Sequence, residues 1–88
     1  MGMSRAYHQK ADYAVAHRRN ADGTFTMLNG SEHLLGMARS LSREHQWHFA
    51  RMWCETQGFD GFRLAYGKVP RDGKHVFISE TVQEVEKV

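Results

Sequence analysis

The chain has little of what covalent or metal-based chemistry requires. Of its 88 residues only one is cysteine, so no intramolecular disulfide can form and no cysteine-based zinc site can be assembled. It has one proline, and no apolar run approaches the ~18 residues of a membrane span. We also expect no signal peptide. The sequence therefore predicts a soluble, cytoplasmic protein with no membrane partner.

Catalytic and nucleotide-binding motifs are absent as well. A serine, a histidine and an acid form a catalytic group only where the fold brings them together, and their spacing here indicates no such group. We therefore expect a non-enzymatic protein without a cofactor. The opening Met-Gly-Met favours Met3 as the natural start, with residues 1–2 added by cloning. A chain of this length holds one hydrophobic core, so we expect a single domain over residues 3–88.

The composition present is that of a compact domain with mild basicity. Hydrophobic residues make up 41% of the chain and aromatic residues 11%, which argues against disorder. Residues 1–79 carry eleven Lys/Arg and seven Asp/Glu, whereas residues 80–88 carry one lysine and three glutamates. This balance permits a polyanionic partner without requiring one. A homodimer would add buried area to so small a chain and is compatible with the sequence.

Two turn signals predict β-hairpins. Asp22-Gly23 separates residues 13–19 from 24–28, and a Gly- and Pro-containing loop over residues 67–73 separates the alternating segment 62–66 from 74–78. Residues 4–19 also fit a helix, but the strand interpretation is favoured because 24–28 needs a pairing partner. For residues 79–88 both a short helix and a strand remain open.

Residues 31–58 carry the one long helical pattern. Ser31 is the candidate N-cap and Gly58 the candidate C-terminal glycine, although Ser40 or Ser42 could start a separate helix after a break near Arg39. The fold class that follows is α+β. We expect a small two-layer domain of order ββαββ, with the helix packed on an antiparallel sheet.

A helical wheel divides this segment into two sides. One side is mostly apolar and is predicted to face the core, with Leu34, Leu41, Phe49 and Met52 as its main contributors. That side comprises Leu34, Met37, Ala38, Leu41, His45, His48, Phe49 and Met52. The opposite side is predicted to face solvent and comprises Arg39, Arg43, Trp47, Arg51 and Cys54.

The strongest functional signal is a ridge on the predicted outer side, formed by Arg39, Arg43, Trp47 and Arg51. Residues four apart are neighbours on a helix, so the guanidinium groups can flank the indole. Tryptophan and arginine are common at interface hot spots, so we interpret the ridge as a partner-binding site. Two alternatives are that another segment of the chain covers Trp47, or that the arginines cap it without further function.

Three weaker signals accompany the ridge. His45 and His48 could share a metal ion, but nothing in the sequence brings a further ligand to them, so we expect no specific site. Cys54 lacks an identified activating group and is interpreted as inert. Lys68, Arg71 and Lys74 form a secondary basic loop that leads into a strand, which favours an exposed turn over a phosphate-binding loop.

The leading hypothesis is a small protein-binding adaptor or inhibitor, of the kind found among accessory proteins of phages and mobile elements, that uses the Arg/Trp ridge. The alternative is a nucleic-acid-binding module in which the basic side chains contact phosphates and Trp47 stacks on an unpaired base. An enzyme or metal sensor built on His45 and His48 is the third hypothesis.

Overall fold

The computed structural model describes residues 10–35 and 40–86, and it packs one helix against a curled antiparallel sheet. The predicted α+β class is confirmed. The ββαββ order is not, because the described residues form six strands, three before the helix and three after it. In chain order the elements are β1 (Tyr13–Arg19), β2 (Phe25–Met27), β3 (His33–Leu34), α1 (Arg43–Gln57), β4 (Gly61–Tyr66), β5 (Val76–Phe77) and β6 (Gln83–Glu84).

Strands β1 and β4, the two longest, form the centre of the sheet. They pair antiparallel from Tyr13 opposite Ala65 to His17 opposite Gly61. The strand order is β2-β1-β4-β5, with β3 also pairing with β1 and β6 with β4. Four short strands thus pair with the outer edges of β1 and β4. Their hydrogen bonds satisfy backbone groups that would otherwise be open to other chains.

Both predicted hairpins are confirmed. In the first, Gly23 has a φ of 87°, and the Asp22 carboxylate accepts a hydrogen bond from the Thr24 amide at 3.0 Å. This is the turn chemistry expected of Asp-Gly. In the second, Ala65 pairs with Phe77. The strand interpretation holds for Tyr13–Arg19, whereas residues 4–9 lie outside the described residues.

The helix begins at Arg43, with Ser42 and not Ser31 as its N-cap, so the prediction of one helix from Ser31 to Gly58 was wrong. Ser42 is the N-cap, and its hydroxyl accepts the amide of His45. Ser31 instead accepts a hydrogen bond from the amide of Ala16 in β1 at 3.1 Å, which holds the following residues beside the sheet as β3. The alternative start at Ser40 or Ser42 was therefore correct. Gly58 ends the helix as predicted, with a φ of 78°.

The C-terminal segment adopts the strand alternative. Gln83 pairs with Phe62 and Glu84 with Gly61, so β6 extends the sheet beside the start of β4. A side chain at Gly61 would collide with this strand, because a Cβ atom there would lie 2.6 Å from Cγ1 of Val82. Glycine at position 61 therefore allows β6 to approach β4 closely.

The central strands carry a hydrophobic cluster on each face of the sheet. We call the cluster under α1 the helix-side core; its buried members are Ala11, Ala14, Leu35, Ala50, Cys54, Phe62, Leu64, Ile78 and Val85. The far-side cluster consists of Tyr13, Val15 and Ala65, with Met27 and Phe77 packed against it.

Candidate partner-binding surface

The helix faces the sheet with the side opposite to the one predicted. Its buried residues are Gln46, Ala50 and Cys54. Leu34, Phe49 and Met52 are exposed by 67%, 54% and 60%, so their assignment to the core was wrong. Among the other residues of the predicted core side, Leu41 is half-buried, His45 and His48 are exposed, and Met37 and Ala38 lie outside the described residues.

Two features of the buried side explain this orientation. Ala50 and Cys54 are small, which lets the helix approach the sheet closely. Gln46 is polar, yet its side-chain amide donates to the carbonyl of Ala11 at 2.9 Å and accepts the Ala11 amide at 2.8 Å. An amide whose oxygen and nitrogen both have hydrogen-bond partners can be buried at little cost. Gln46 therefore ties the helix to the segment before β1.

Trp47 lies at the edge of the buried side and not on an outer ridge. It is half-buried, and its ring packs against the core residue Phe62 with a centroid distance of 5.8 Å. The Arg51 guanidinium lies 6.0 Å from the indole centroid, and the His48 ring meets the indole edge-on at 5.1 Å. The prediction that Trp47 faces fully outward was wrong, because part of its surface contacts the fold itself.

The arginines of the predicted ridge differ in their surroundings. Arg51 is exposed and forms an i,i+4 ion pair with Glu55 at 3.2 Å. Arg43, half-buried, begins the helix. Arg39 lies outside the described residues. The structure thus brings Arg51 and Trp47 together, while the binding role of the ridge stays a prediction.

The side of α1 away from the sheet presents His45, His48, Phe49 and Met52, which we call the outer helix face. All four side chains are exposed. A sequence pattern alone ranks Phe49 and Met52 as core because they are large apolar residues on one side of the helix. The hydrogen bonds of Gln46 to a residue 35 positions away could not be read from that pattern.

Cys54 was predicted on the outer side and is instead fully buried. Its thiol lies 3.6 Å from the carbonyl oxygen of Phe59, at the length of a weak sulfur hydrogen bond. The sulfur therefore contributes to packing under the helix, and solvent does not reach it.

The secondary basic loop connects β4 to β5. Lys68, Arg71 and Lys74 are exposed there. The amide of Gly67 donates to the carboxylate of Asp12 at 2.7 Å, and the amide of Lys74 donates to Asp72. Carboxylates of the chain itself occupy these donors, which fits the predicted exposed turn.

The far side of the sheet holds a cluster of three polar side chains that the sequence did not indicate. The Tyr13 hydroxyl lies 3.1 Å from His75 Nδ1, and His75 Nε2 lies 3.2 Å from the Glu32 carboxylate. The second contact lacks the alignment of a hydrogen bond, so it is an electrostatic contact. Burial, followed by the negative charges of Glu32 and Asp12, raises the pKa of Tyr13. The three side chains come from separate segments, and no local motif could have indicated them.

Arg63 packs on the same face of the sheet. Its guanidinium stacks on the Phe77 ring at 3.7 Å and donates two hydrogen bonds to the carbonyl of Ser79. Burial lowers its pKa. These contacts give the guanidinium a structural role between β4 and β5.

Within the described part of the chain, no helix combines the length and apolarity needed to cross a bilayer. The same residues contain no group of three or more His, Cys, Asp or Glu side chains arranged to hold a metal ion. In comparisons with known proteins, no family model, curated protein or solved structure matches this chain.

Proposed function

We propose that this chain is a small non-enzymatic protein-binding module, an adaptor or inhibitor, that contacts its partner through the solvent side of α1. The observation that supports this most is the exposure of Phe49 and Met52, 54% and 60%, at positions three residues apart. Such positions are neighbours on a helix, and neighbouring apolar side chains are the anchors by which helices bind other proteins.

The predicted ridge supplies the edge of this surface. Arg51 is exposed beside the half-buried indole of Trp47, and arginine and tryptophan are enriched in protein interfaces. Arg43 lies one helical turn before Trp47 and is half-buried, and Arg39, the remaining residue of the predicted ridge, lies outside the described residues. In this proposal Phe49 and Met52 form the apolar centre, and the ridge contributes polar contacts around it. An accessory protein of a phage or mobile element would have this kind of function.

A nucleic-acid-binding module is the second candidate, and the exposure of Lys68, Arg71 and Lys74 favours it. Two observations weaken it. The indole of Trp47 already contacts Phe62, which leaves less of its surface for a base to stack on. The two amides at the ends of the basic loop bond to Asp12 and Asp72.

The test is capture of partners by the immobilised chain from lysate with and without nuclease. We expect a protein bound by the wild type to be lost with a Phe49→Ser/Met52→Ser variant. Leu34→Ser is the matched control, since it removes an equally exposed apolar side chain from β3. A partner retained by the double variant would contradict the proposal. Binding that disappears with nuclease, or falls steeply between about 50 and 200 mM salt, would favour nucleic acid.

A further inference from the structure

His45 and His48 occupy the part of α1 that points away from the sheet. Both are exposed, whereas Gln46 and Ala50 beside them are buried. Side chains three residues apart in a helix are neighbours, and such pairs of ligands hold metal ions in helical proteins. Our expectation of no specific metal site rested on the lack of a further ligand within the sequence. The exposure of His45 and His48 makes both rings accessible to an ion.

A contact of the His45 ring is compatible with metal ligation. Its Nδ1 lies 3.0 Å from the hydroxyl oxygen of Ser42, the N-cap. In the tautomer that donates from Nδ1 to this oxygen, Nε2 carries the lone pair. Ligating histidines usually have their second ring nitrogen held by an oxygen acceptor in this way, which orients the ring.

Within the described residues, one chain supplies two ligands at this position. Residues 10–35 and 40–86 offer no third His, Cys, Asp or Glu close enough to complete a metal-binding group. A structural zinc site takes four ligands in tetrahedral geometry. A second copy of the chain carries the same pair, and a two-fold interface brings a surface onto its own equivalent.

We propose that His45 and His48 of two copies of this chain bind one Zn²⁺ ion between their α1 helices. Four neutral imidazoles suit zinc, and the ion would join the two outer helix faces. Phe49 and Met52 flank the pair and would be covered. A few side chains fall far short of the roughly 800 Å² per partner typical of a stable interface, so pairing depends on the metal. The proposed zinc site is independent of the proposed function, because its ligands are His45 and His48.

The test measures molecular mass by sedimentation equilibrium at neutral pH. The chain has a mass of 10.2 kDa. We expect half an equivalent of zinc chloride per chain to double the measured mass, and excess EDTA to reverse the change. Acidification to pH 5 should also reverse it, because imidazole ligates only in its neutral form. Replacing zinc with Co²⁺ should give the visible absorption of a tetrahedral site.

Single variants identify the ligands. His45→Ala and His48→Ala should each keep the monomer mass at zinc concentrations that pair the wild type. His33→Ala is the control, since His33 is also exposed but lies on β3 stacked on Trp53, and it should pair normally. An unchanged wild-type mass with zinc, a 1:1 zinc complex that stays monomeric, or pairing that survives both substitutions would overturn the proposal. Partner capture can be measured with zinc chelated. Loss of capture in the Phe49→Ser/Met52→Ser variant then tests the proposed function and leaves the zinc-dependent pairing untouched.

Discussion

The two faces of the central sheet are packed in different ways. On the helix side, Phe62 and Leu64 are buried among apolar residues, with Ala50 of α1 above them. On the far side, the buried set around Val15 includes an ionisable ring, that of His17. The helix side is stabilised by burial of apolar area, which hardly depends on pH. The far side adds contacts whose strength depends on protonation.

The contrast follows from what covers each face. The backbone groups of a helix are already hydrogen-bonded to one another, so α1 covers its face with small side chains and one paired polar side chain, Gln46. The far face is flanked by the connections on either side of β3 and β5. These bring Glu32 and His75 to Tyr13, and polar side chains buried under connecting segments need such partners.

The largest expected effect tests the helix-side core. Phe62→Ala removes a fully buried ring that contacts Trp47, and it should cost about 3–5 kcal/mol of unfolding free energy. Because no charge is involved, the loss should be the same at pH 5.5 and pH 8. Urea denaturation at both pH values measures it. A cost under about 1 kcal/mol would mean that α1 does not close this face.

The two hairpins and the faces of β4 could be predicted because their signals are local, whereas β3 lies in a segment predicted as helix. The alternation of Phe62, Leu64 and Tyr66 against Arg63 and Ala65 identifies the two faces of β4, and the structure confirms it: the first three pack in the helix-side core, while Ala65 belongs to the far-side cluster. A strand reveals its buried face by a period of two, and Asp-Gly reveals its own turn.

The helix could not be oriented from the sequence because its packing depends on distant residues. The buried Gln46 is satisfied by Ala11, and small Ala50 meets the sheet, so the side that packs is not the more hydrophobic one. Because the helix was oriented wrongly, Trp47 was predicted to face solvent and Phe49 was predicted to face the core. The sequence singled out arginine and tryptophan, whose binding role stays a prediction, and the surface on which such residues meet depends on tertiary contacts.

A smaller effect is expected on the far side from Tyr13→Phe. The ring keeps its packing, but the hydroxyl that lies 3.1 Å from His75 Nδ1 is lost. Leaving a buried ring nitrogen unpaired should cost about 1–3 kcal/mol, measured by urea denaturation at pH 8. Tyr66→Phe, in a half-buried residue of the other face, is the matched control and should cost less. Equal losses would show that the Tyr13–His75 contact adds nothing.

The pH dependence of stability should originate on the far side. Burial lowers the pKa of His17, its hydrogen bond to the Val15 carbonyl opposes this, and Arg63 and His75 lower it further. The unfolded chain, with an ordinary histidine pKa of about 6.5, therefore binds a proton before the folded chain does. The contribution of His17 to the free energy of unfolding is fully present above about pH 6.5. It is lost as the pH falls toward the lowered pKa of His17 in the folded chain.

Thermal unfolding of wild type and His17→Gln from pH 8 to pH 5 measures this contribution. We expect the decline in melting temperature on acidification to be shallower in the variant. His48→Gln, which changes an exposed histidine of α1, should keep the wild-type slope. A slope unchanged by His17→Gln would place the acid sensitivity elsewhere.

The smallest effect is expected from Phe49→Ala, which provides the reference for Phe62→Ala. Both substitutions remove the same ring, but Phe49 lies on the outer helix face, 54% exposed and outside both clusters. Alanine also has the higher helix propensity, which offsets part of the lost contact area. The unfolding free energy should therefore change by less than about 1 kcal/mol, measured by urea denaturation under the conditions used for Phe62→Ala. A loss approaching that of Phe62→Ala would show that Phe49 is covered in the folded chain, and the outer helix face would then be part of the core.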